Sequence, residues 1–227
     1  MREKELTVIV PIYNEEQSIE ETIGLINNHV NCGILAINDC STDNSLKILK
    51  ALQKKYKNLR VISKRKNEGY GAALKTGFLN SKTKFLSFLD ADLTYHPKYI
   101  PVMLKLVKNN NLDCAWCNRY GGHINRMPIE RKIATKAIVF LFFIYTGKYI
   151  PDVTCGERVF RTKSMLKLDP KSLPNGLDMI SALSKRIIHR KLRYKIIPCD
   201  YAAREGSSKL NAFGDFIKMV KNVIFEK

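Results

Sequence analysis

The sequence predicts an α/β domain in which a mostly parallel central sheet carries helices on both faces. Short, continuously apolar segments alternate with segments of helical periodicity through the first half of the chain, which is typical of parallel strands buried on both sides. Polar and glycine-containing clusters follow these apolar segments, at the sheet edge where open α/β sheets bind ligands. The length of 227 residues suits one domain with a full hydrophobic core.

Six strands and seven helices are expected. In chain order the predicted strands are residues 6–10, 34–37, 59–63, 85–89, 114–117 and 193–198. Apolar spacing and a capping box at 18–21 predict the helices, which follow the capping box and cover residues 46–56, 71–79, 97–108, 129–145, 178–190 and 211–225. Pro11 is expected to end the first strand, and residues 151–156 to form a turn. No repeat or linker interrupts the pattern, which indicates a single domain over 1–227.

Charge is the unusual feature of the composition. Lys and Arg number 39 against 21 Asp and Glu, a formal net charge of +18, which predicts an anionic partner such as nucleic acid, a membrane surface or a phosphorylated substrate. Apolar residues at 45% and charged residues at 26% exclude global disorder. The longest apolar run, residues 137–145, is too short to span a membrane, and the first residues lack the features of a signal peptide.

The six cysteines are expected to be free thiols in a reducing compartment. Cys114 and Cys117 form a single C-x-x-C pair within a predicted strand. Side chains three residues apart in a strand face opposite ways, so the pair alone does not indicate a zinc site.

Two clusters at strand ends indicate nucleotide binding. Pro11, Tyr13 and Glu15 follow the first strand in a turn without glycine, which excludes the glycine-rich fingerprint of dinucleotide-binding folds. Asp39 follows the second strand, and its carboxylate can accept N–H bonds from a uracil or guanine edge; helix capping is the alternative. Glycines at 69 and 71 would let the backbone approach a sugar or phosphate, although an ordinary tight turn also explains them.

Asp90 and Asp92 indicate a metal site. They follow a strongly apolar strand, and two carboxylates so close together repel each other unless a cation or hydrogen-bond donors compensate. A divalent ion with oxygen ligands, bridging the diphosphate of a nucleotide sugar, meets that need. An ordinary acidic turn is the alternative.

Together these motifs resemble the nucleotide-sugar-binding half of the family 2 inverting glycosyltransferases over roughly the first 120 residues. The resemblance implies a GT-A type fold with a donor-binding half at 1–119. It implies that the nucleoside is bound by Pro11, Tyr13, Glu15 and Asp39. It also implies that Asp90 and Asp92 serve catalysis and hold Mg²⁺ or Mn²⁺, with Ala91 between them at the donor. Thr94 stands where relatives often carry a glutamine metal ligand, so that role is not carried over.

The second half, residues 120–227, resembles the polyprenol-phosphate sugar transferases, chiefly dolichol-phosphate mannosyltransferase. The motifs that carry this resemblance are residues 118–120, 128–132, 152–156 and 206–210. It implies that the acceptor phosphate is bound by Arg119, Arg131 and Thr135, and that a late loop clamps the donor through Arg204 or Lys209. The helix at 129–145 is expected to lie either at a membrane interface or in the core.

The expected activity is transfer of one sugar, mannose or glucose, from a GDP- or UDP-linked donor to a polyprenyl phosphate with inversion. A hydroxyl of a lipid-linked or cell-surface glycan is the alternative acceptor, for which Asp178 could act as a base. The resemblance and the charge favour a cytoplasmic enzyme that is peripheral on the cytosolic face of a membrane. Nucleic acid is not an expected partner, because no basic–aromatic base-stacking motif appears.

Overall fold

The computed structural model describes residues 5–124, 127–203 and 212–225. Its strands are β1 (Leu6–Ile12), β2 (Gly33–Asn38), β3 (Leu59–Ser63), β4 (Phe85–Phe88), β5 (Cys114–Asn118), β6 (Arg158–Arg161) and β7 (Tyr194–Pro198). Its helices are α1 (Ile19–His29), α2 (Ser45–Lys55), α3 (Tyr70–Asn80), α4 (Tyr99–Asn109), α5 (Ile129–Thr146), α6 (Thr162–Lys167), α7 (Met179–His189) and α8 (Ala212–Phe225). All six predicted strands and all seven predicted helices are present within one or two residues.

The strands form one sheet in the order β3-β2-β1-β4-β6-β5-β7. Pairing is parallel except at β6, which runs antiparallel to both β4 and β5. The mostly parallel α/β sheet is therefore confirmed. Strand order reverses at β1, and right-handed crossovers in the two directions place helices on both faces. The crevice at this reversal lies at the carboxyl ends of β1, β2 and β4, where three of the four predicted motifs occur.

The β6 strand was not predicted, because arginines at both ends of Arg158–Arg161 hide its apolar character. Arg158 is fully buried. Its guanidinium donates to the carbonyl oxygens of Cys155 at 2.9 Å and Val153 at 3.0 Å, and to the Ser184 hydroxyl at 2.8 Å. A buried cation is tolerated in the core when several acceptors compensate it, here two carbonyls of the preceding turn and one hydroxyl from α7.

Two local expectations were wrong. Pro11 does not end β1, which continues to Ile12 and pairs with β2 as far as Asn38. The pairing of β1 with β4 stops at Ile9, so the missing N–H of Pro11 leaves no ladder bond unmade. Ser18 precedes α1 as expected, but its side chain makes no capping hydrogen bond to the helix.

The longest helix, α5, is apolar on more than one side. Ile138, Val139 and Phe142 are buried, while an opposite group of large side chains faces solvent. α5 packs against α8 and α7. Within residues 5–124, 127–203 and 212–225, no helix combines the length and apolar character needed to cross a membrane.

Candidate functional site

The turn after β1 is fastened to the turn after β2. The backbone N–H of Asn14 donates to the Ser41 hydroxyl at 3.0 Å, and that of Glu15 donates to the Ser45 hydroxyl at 2.8 Å. Pro11 is buried within β1, whereas Tyr13 and Glu15 are half-buried at the surface of the turn. The predicted nucleoside residues of the first motif therefore lie beside the second motif.

Asp39 anchors the glycine-containing segment. Its buried carboxylate accepts hydrogen bonds from the backbone N–H of Gly69 at 2.7 Å and of Glu68 at 3.2 Å, and pairs with Lys64 at 2.8 Å. Asp39 does not cap α2, whose first turn is bonded by Asp43 instead. The second and third motifs are thus joined by direct contact.

Gly71 lets another loop approach this segment closely. A Cβ at position 71 would come 2.5 Å from the Pro174 carbonyl oxygen and 2.8 Å from that of Gly176. The N–H of Ala72 donates to the Asn175 carbonyl at 3.1 Å. Gly69 has a φ of +99°, which a residue with a side chain adopts only with strain. The glycines therefore allow a second-half loop to pack onto the donor half.

Asp90 and Asp92 are oriented by hydroxyl groups. Tyr70 donates to Asp90 Oδ1 at 2.7 Å, and Thr94 donates to Asp92 Oδ1 through its hydroxyl at 2.6 Å and its N–H at 3.1 Å. Burial, together with the Asp90 charge, raises the pKa of Tyr70 well above its usual value, so Tyr70 remains a donor. The turn between the aspartates is held to α1 because Thr22 donates to the Ala91 carbonyl at 2.9 Å.

These aspartates fit a hard divalent cation. Both carry carboxylate oxygens at the carboxyl end of β4, and Asp92 is buried, so burial makes an uncompensated negative charge costly there. Oxygen-rich sites of this kind select Mg²⁺, Mn²⁺ or Ca²⁺ over softer metals.

Arg119 is buried in a bidentate ion pair with Asp152. Its Nε and Nη2 atoms donate to the two carboxylate oxygens at 2.7 and 2.8 Å, and Nη2 also donates to the Thr154 hydroxyl at 2.6 Å. The guanidinium carbon lies 5.5 Å from the centre of the Tyr201 ring. Arg119 therefore has a protein carboxylate as its main partner, which the sequence did not indicate.

Arg131 and Thr135 lie one turn apart on α5, as the sequence predicted. Arg131 Nη1 donates to the Tyr201 hydroxyl at 2.8 Å, and Thr135 is buried in the same pocket wall as Tyr120. Arg119 therefore contacts the ring of Tyr201, and Arg131 contacts its hydroxyl. Of the three predicted acceptor residues, these two arginines are brought together by a residue that sequence reasoning missed.

A pocket of about 310 Å³ adjoins this cluster on its apolar side. It is lined by Tyr120, Thr135, Lys136, Val139, Phe140, Phe143, Tyr149 and Pro151. Thr135 and Tyr120 bring two hydroxyl groups to the wall of this pocket, at its end nearest Arg131. A polar entrance therefore continues into an apolar cavity along α5.

Tyrosines connect the two halves. The Gly156 N–H donates to the Tyr95 hydroxyl at 3.3 Å, and the Tyr95 ring stands edge-on to that of Tyr201 with 5.7 Å between centres. A Cβ at Gly156 would come 3.0 Å from Asp90 Oδ2. The paired aspartates and the arginine cluster are thus parts of one continuous region.

Sequence reasoning missed Tyr70, Asp152 and Tyr201. Asp152 begins the motif at residues 152–156. Its pairing could have been predicted, because a carboxylate beside Val153 in an apolar segment needs a cationic partner if it is buried. Tyr201 has no local signal, because its partners are distant in sequence. Arg204 and Lys209 lie outside the described residues.

Comparison with known proteins gives three informative relatives. The chain is 31% identical over 141 residues to the dolichol-phosphate mannosyltransferase of Pyrococcus furiosus, a match covering 60% of this chain and 40% of that protein. It is 25% identical over 217 residues to the low-salt glycan biosynthesis hexosyltransferase Agl6 of Haloferax volcanii, covering 92% and 51%. It is 28% identical over 236 residues to an uncharacterised protein of Methanocaldococcus jannaschii, covering 97% and 93%. The chain therefore spans about half or less of the two relatives with an assigned activity.

Solved structures share the fold. Glucosyl-3-phosphoglycerate synthase from Mycobacterium tuberculosis, crystallised with Mn²⁺, UDP and glucosyl-3-phosphoglycerate, has a TM-score of 0.72 at 18% identity over 97% of this chain and 78% of that one. S. aureus TarS with UDP-GlcNAc has a TM-score of 0.69 at 20% identity over 96% and 65%. At these identities the likeness establishes the fold, which is the GT-A fold of glycosyltransferases.

The family assignment rests on a match to a family model that is longer than the motifs of either half of the chain. Residues 7–169 match the family model described as Glycosyl transferase family 2, a span from β1 to the end of α6 that contains every motif of the donor half. The resemblance noted in the sequence is thereby confirmed. Because the match covers well over half of the chain, the protein belongs to glycosyl transferase family 2.

Proposed function

We propose that the protein transfers one hexose, mannose or glucose, from a GDP- or UDP-linked sugar to a polyprenyl phosphate, inverting the anomeric centre. The apolar pocket that begins at Thr135, beside Arg131, carries this proposal. A polyprenyl phosphate presents an anion joined to a long apolar chain, and this arrangement offers a cation joined to an apolar cavity. The name of the Pyrococcus relative supports the same acceptor.

The donor half supplies the nucleotide-sugar site. Tyr13 and Glu15 border the nucleoside, and Asp39 keeps the Glu68–Gly69 backbone in place while contributing its carboxylate to the base edge. Asp90 and Asp92 would hold Mg²⁺ or Mn²⁺. When bound, the ion would neutralise the charge of the departing nucleoside diphosphate. Arg204 and Lys209 are the proposed donor clamp, in the segment outside the described residues.

The acceptor half supplies positioning. A phosphate monoester carries about −1.5 to −2 charge at neutral pH, so it needs no general base to become nucleophilic. Arg131 can donate two parallel hydrogen bonds to its oxygens, with the Thr135 hydroxyl one helical turn away. Arg119 adds positive potential from its fixed place on Asp152. Holding the phosphate in line with the anomeric carbon is then the main contribution of the protein.

A hydroxyl acceptor on a lipid-linked or cell-surface glycan is the second candidate. The Haloferax relative is named for glycan biosynthesis, and a hydroxyl acceptor needs a base. Asp178 precedes α7 and is buried; its Oδ2 accepts a hydrogen bond from Asn222 at 2.6 Å, while its Oδ1 has no partner among the described residues. That carboxylate is the base we would assign for such an acceptor.

Radiolabelled GDP- and UDP-sugars assayed against a short polyprenyl phosphate and a hydroxyl-bearing lipid-linked glycan separate the two candidates. Under the proposal, label moves to the phosphate acceptor with inversion, and an excess of chelator stops it. Asp90→Asn keeps an oxygen for Tyr70 to bond, so turnover should fall while thermal unfolding changes little. Full turnover in metal-free protein would contradict the cation's role, and transfer to the hydroxyl acceptor alone would contradict the lipid-phosphate acceptor.

Arg131→Ala tests the acceptor site itself. Because hydrogen bonds to charged groups are worth about 1.5–3 kcal/mol, we expect the apparent KM for polyprenyl phosphate to rise roughly 10- to 100-fold. Binding of the nucleotide sugar, measured by calorimetry, should stay nearly unchanged. Lys148→Ala removes an exposed positive charge just beyond the same helix and serves as the control. An equal loss of donor binding would move Arg131 to the donor site.

A further inference from the structure

Three potential metal ligands converge in the interior, away from the paired aspartates. The Sγ atoms of Cys117 and Cys199 and a carboxylate oxygen of Glu157 all lie within 4.8 Å of one another, and all three residues are buried. They come from separate segments: Cys117 from β5, Glu157 from the residue before β6, and Cys199 from the residue after β7. Folding alone brings them together, which is why the C-x-x-C pair in the sequence gave no sign of it.

Further sulfur atoms surround the cluster. Cys155 is buried two residues before Glu157, and Met103 Sδ lies 3.9 Å from Cys117 Sγ. Cys114 does not belong to it, since its side chain points to the other face of β5. The surroundings are therefore rich in soft ligands and exclude water.

Glu157 is the unexplained member of this cluster. It is fully buried, its Oε2 lies 3.3 Å from Cys117 Sγ, and its Oε1 has no hydrogen-bond partner among the described residues. Burying a carboxyl oxygen without a partner is costly, and a bound cation would remove that cost.

We propose that Cys117, Glu157 and Cys199 bind a zinc-class ion. Zn²⁺ takes thiolate ligands at about 2.3 Å and carboxylate oxygens at about 2.0–2.2 Å in tetrahedral geometry, which places ligand atoms roughly 3.5–3.8 Å apart. Binding replaces the two thiol protons and the carboxyl proton, which leave to solvent as the ion enters. Thiolates select zinc-class ions over Mg²⁺, so this site and the aspartate pair take different metals.

The position of this site gives the ion a structural role. Cys117 is two residues before Arg119, Cys155 and Glu157 flank the Gly156 that packs on Asp90, and Cys199 is two residues before Tyr201. One ion would therefore hold together the three segments that carry the acceptor cluster. A metal ion bound by ligands from separate segments contributes folding free energy.

Cobalt titration tests the site without relying on activity. The protein carries Asp90→Asn and Asp92→Asn, which remove the oxygen site, and is kept reduced. We expect one Co²⁺ per chain with an intense thiolate-to-metal charge-transfer band that Zn²⁺ abolishes. Cys117→Ser and Cys199→Ser should each remove most of the band, and Glu157→Gln should weaken binding by at least about tenfold. Cys114→Ser, in the same strand and equally buried, should leave the titration unchanged.

X-ray absorption of the zinc-loaded protein with intact cysteines covers the case in which a serine variant fails to fold. Zinc–sulfur distances of about 2.3 Å support the site, and a shell of oxygen and nitrogen alone overturns it. In the zinc-loaded protein that carries Asp90→Asn and Asp92→Asn, a chelator should also lower the unfolding temperature. The same protein with Cys199→Ser added, if it folds, should show no such change. Absence of Co²⁺ binding, or a band that persists in both serine variants, would refute the proposal.

Discussion

The guanidinium of Arg119 is fixed inside the protein by the carboxylate of Asp152. Asp152 is fully buried, and Arg119 donates to both of its oxygens. Removing one member of such a pair leaves a buried charge uncompensated, which costs about 3–5 kcal/mol. The pair therefore determines where Arg119 can point, whatever ligand it also meets.

Asp152→Asn should accordingly lower the free energy of unfolding by about 3 kcal/mol or more, measured by urea denaturation. Glu5→Gln provides the comparison, because Glu5 pairs with Lys108 at the surface, where ion pairs contribute little. A loss no larger than that of Glu5→Gln would show that the buried pair is not a main source of stability.

His96 predicts a pH dependence of stability. Its ring meets that of His29 edge-on with 4.6 Å between centres, its Nδ1 accepts the Lys98 N–H at 3.1 Å, and Asp200 lies nearby. Burial, aided by the positive charges of His29 and Lys98, lowers the pKa of His96 below its ordinary 6.5, against the opposing effect of Asp200. The unfolded chain therefore binds the proton first, and stability falls as the pH drops below 6.5.

His96→Asn keeps an acceptor for the Lys98 N–H but cannot titrate, so it should flatten the decline of unfolding temperature between roughly pH 7 and pH 5. His189→Asn, on an exposed helix end, should leave the decline as it is. If both variants follow the parent curve, His96 is not responsible for the acid loss.

Single residues also show how far sequence can predict the site. The strand-end motifs predicted the contact region of Asp39, Gly69 and Asp90, because parallel strands end at one edge of a sheet. They did not predict that Asp39 bonds the Gly69 backbone or that Tyr201 joins the two arginines. Such partners depend on register and packing between distant segments, which no local pattern encodes.

Among the elements, α3 owes its close packing on β1 to one glycine. A Cβ at Gly77 would overlap the Ile9 side chain, whereas a Cβ at Gly24 in α1 would find only the Tyr56 hydroxyl, 4.0 Å away. Both glycines are inside helices, where alanine is intrinsically favoured by about 0.5–1 kcal/mol. The two positions therefore separate helix propensity from packing.

Gly24→Ala should raise the free energy of unfolding by about 0.5–1 kcal/mol. Gly77→Ala should lower it by about 1–3 kcal/mol, because a well-packed core resists added volume. Denaturant midpoints of the two variants decide the matter. Stabilisation by both would mean that α3 can move away from β1 without cost.

Prediction of elements succeeded where periodicity was strong and failed where burial contradicted residue type. The seven predicted helices and the apolar strands follow from spacing alone, whereas the short α6 (Thr162–Lys167) was not predicted. β6 was missed because Arg158 is fully buried and bonded to backbone carbonyls, an environment that a charged residue rarely occupies. Since β6 is also the antiparallel strand, the same residue concealed the one exception to the parallel sheet.

At the scale of the whole molecule, the net charge of +18 and the exposed side of α5 both favour attachment to an anionic bilayer. Ile129, Ile133, Phe140 and Ile144 are 56–67% exposed and fall on one helical stripe. Lys136 is exposed on the same side. Apolar side chains flanked by basic residues suit a helix lying in the headgroup region of an anionic bilayer. This surface also borders the pocket proposed for the acceptor's apolar chain.

The protein should therefore float with vesicles that contain anionic lipid at low ionic strength, and high salt should release it, since each basic residue near the surface contributes about 1 kcal/mol that salt screens. Phe140→Ser combined with Ile144→Ser should reduce the partition coefficient by at least about tenfold, because each side chain gains about 1.5–3 kcal/mol on full burial. Val102→Ser, on α4 and 50% exposed, matches the loss of an exposed apolar side chain elsewhere and should leave flotation unchanged. Failure to float at low salt, or an equal loss in Val102→Ser, would contradict membrane attachment through the α5 stripe.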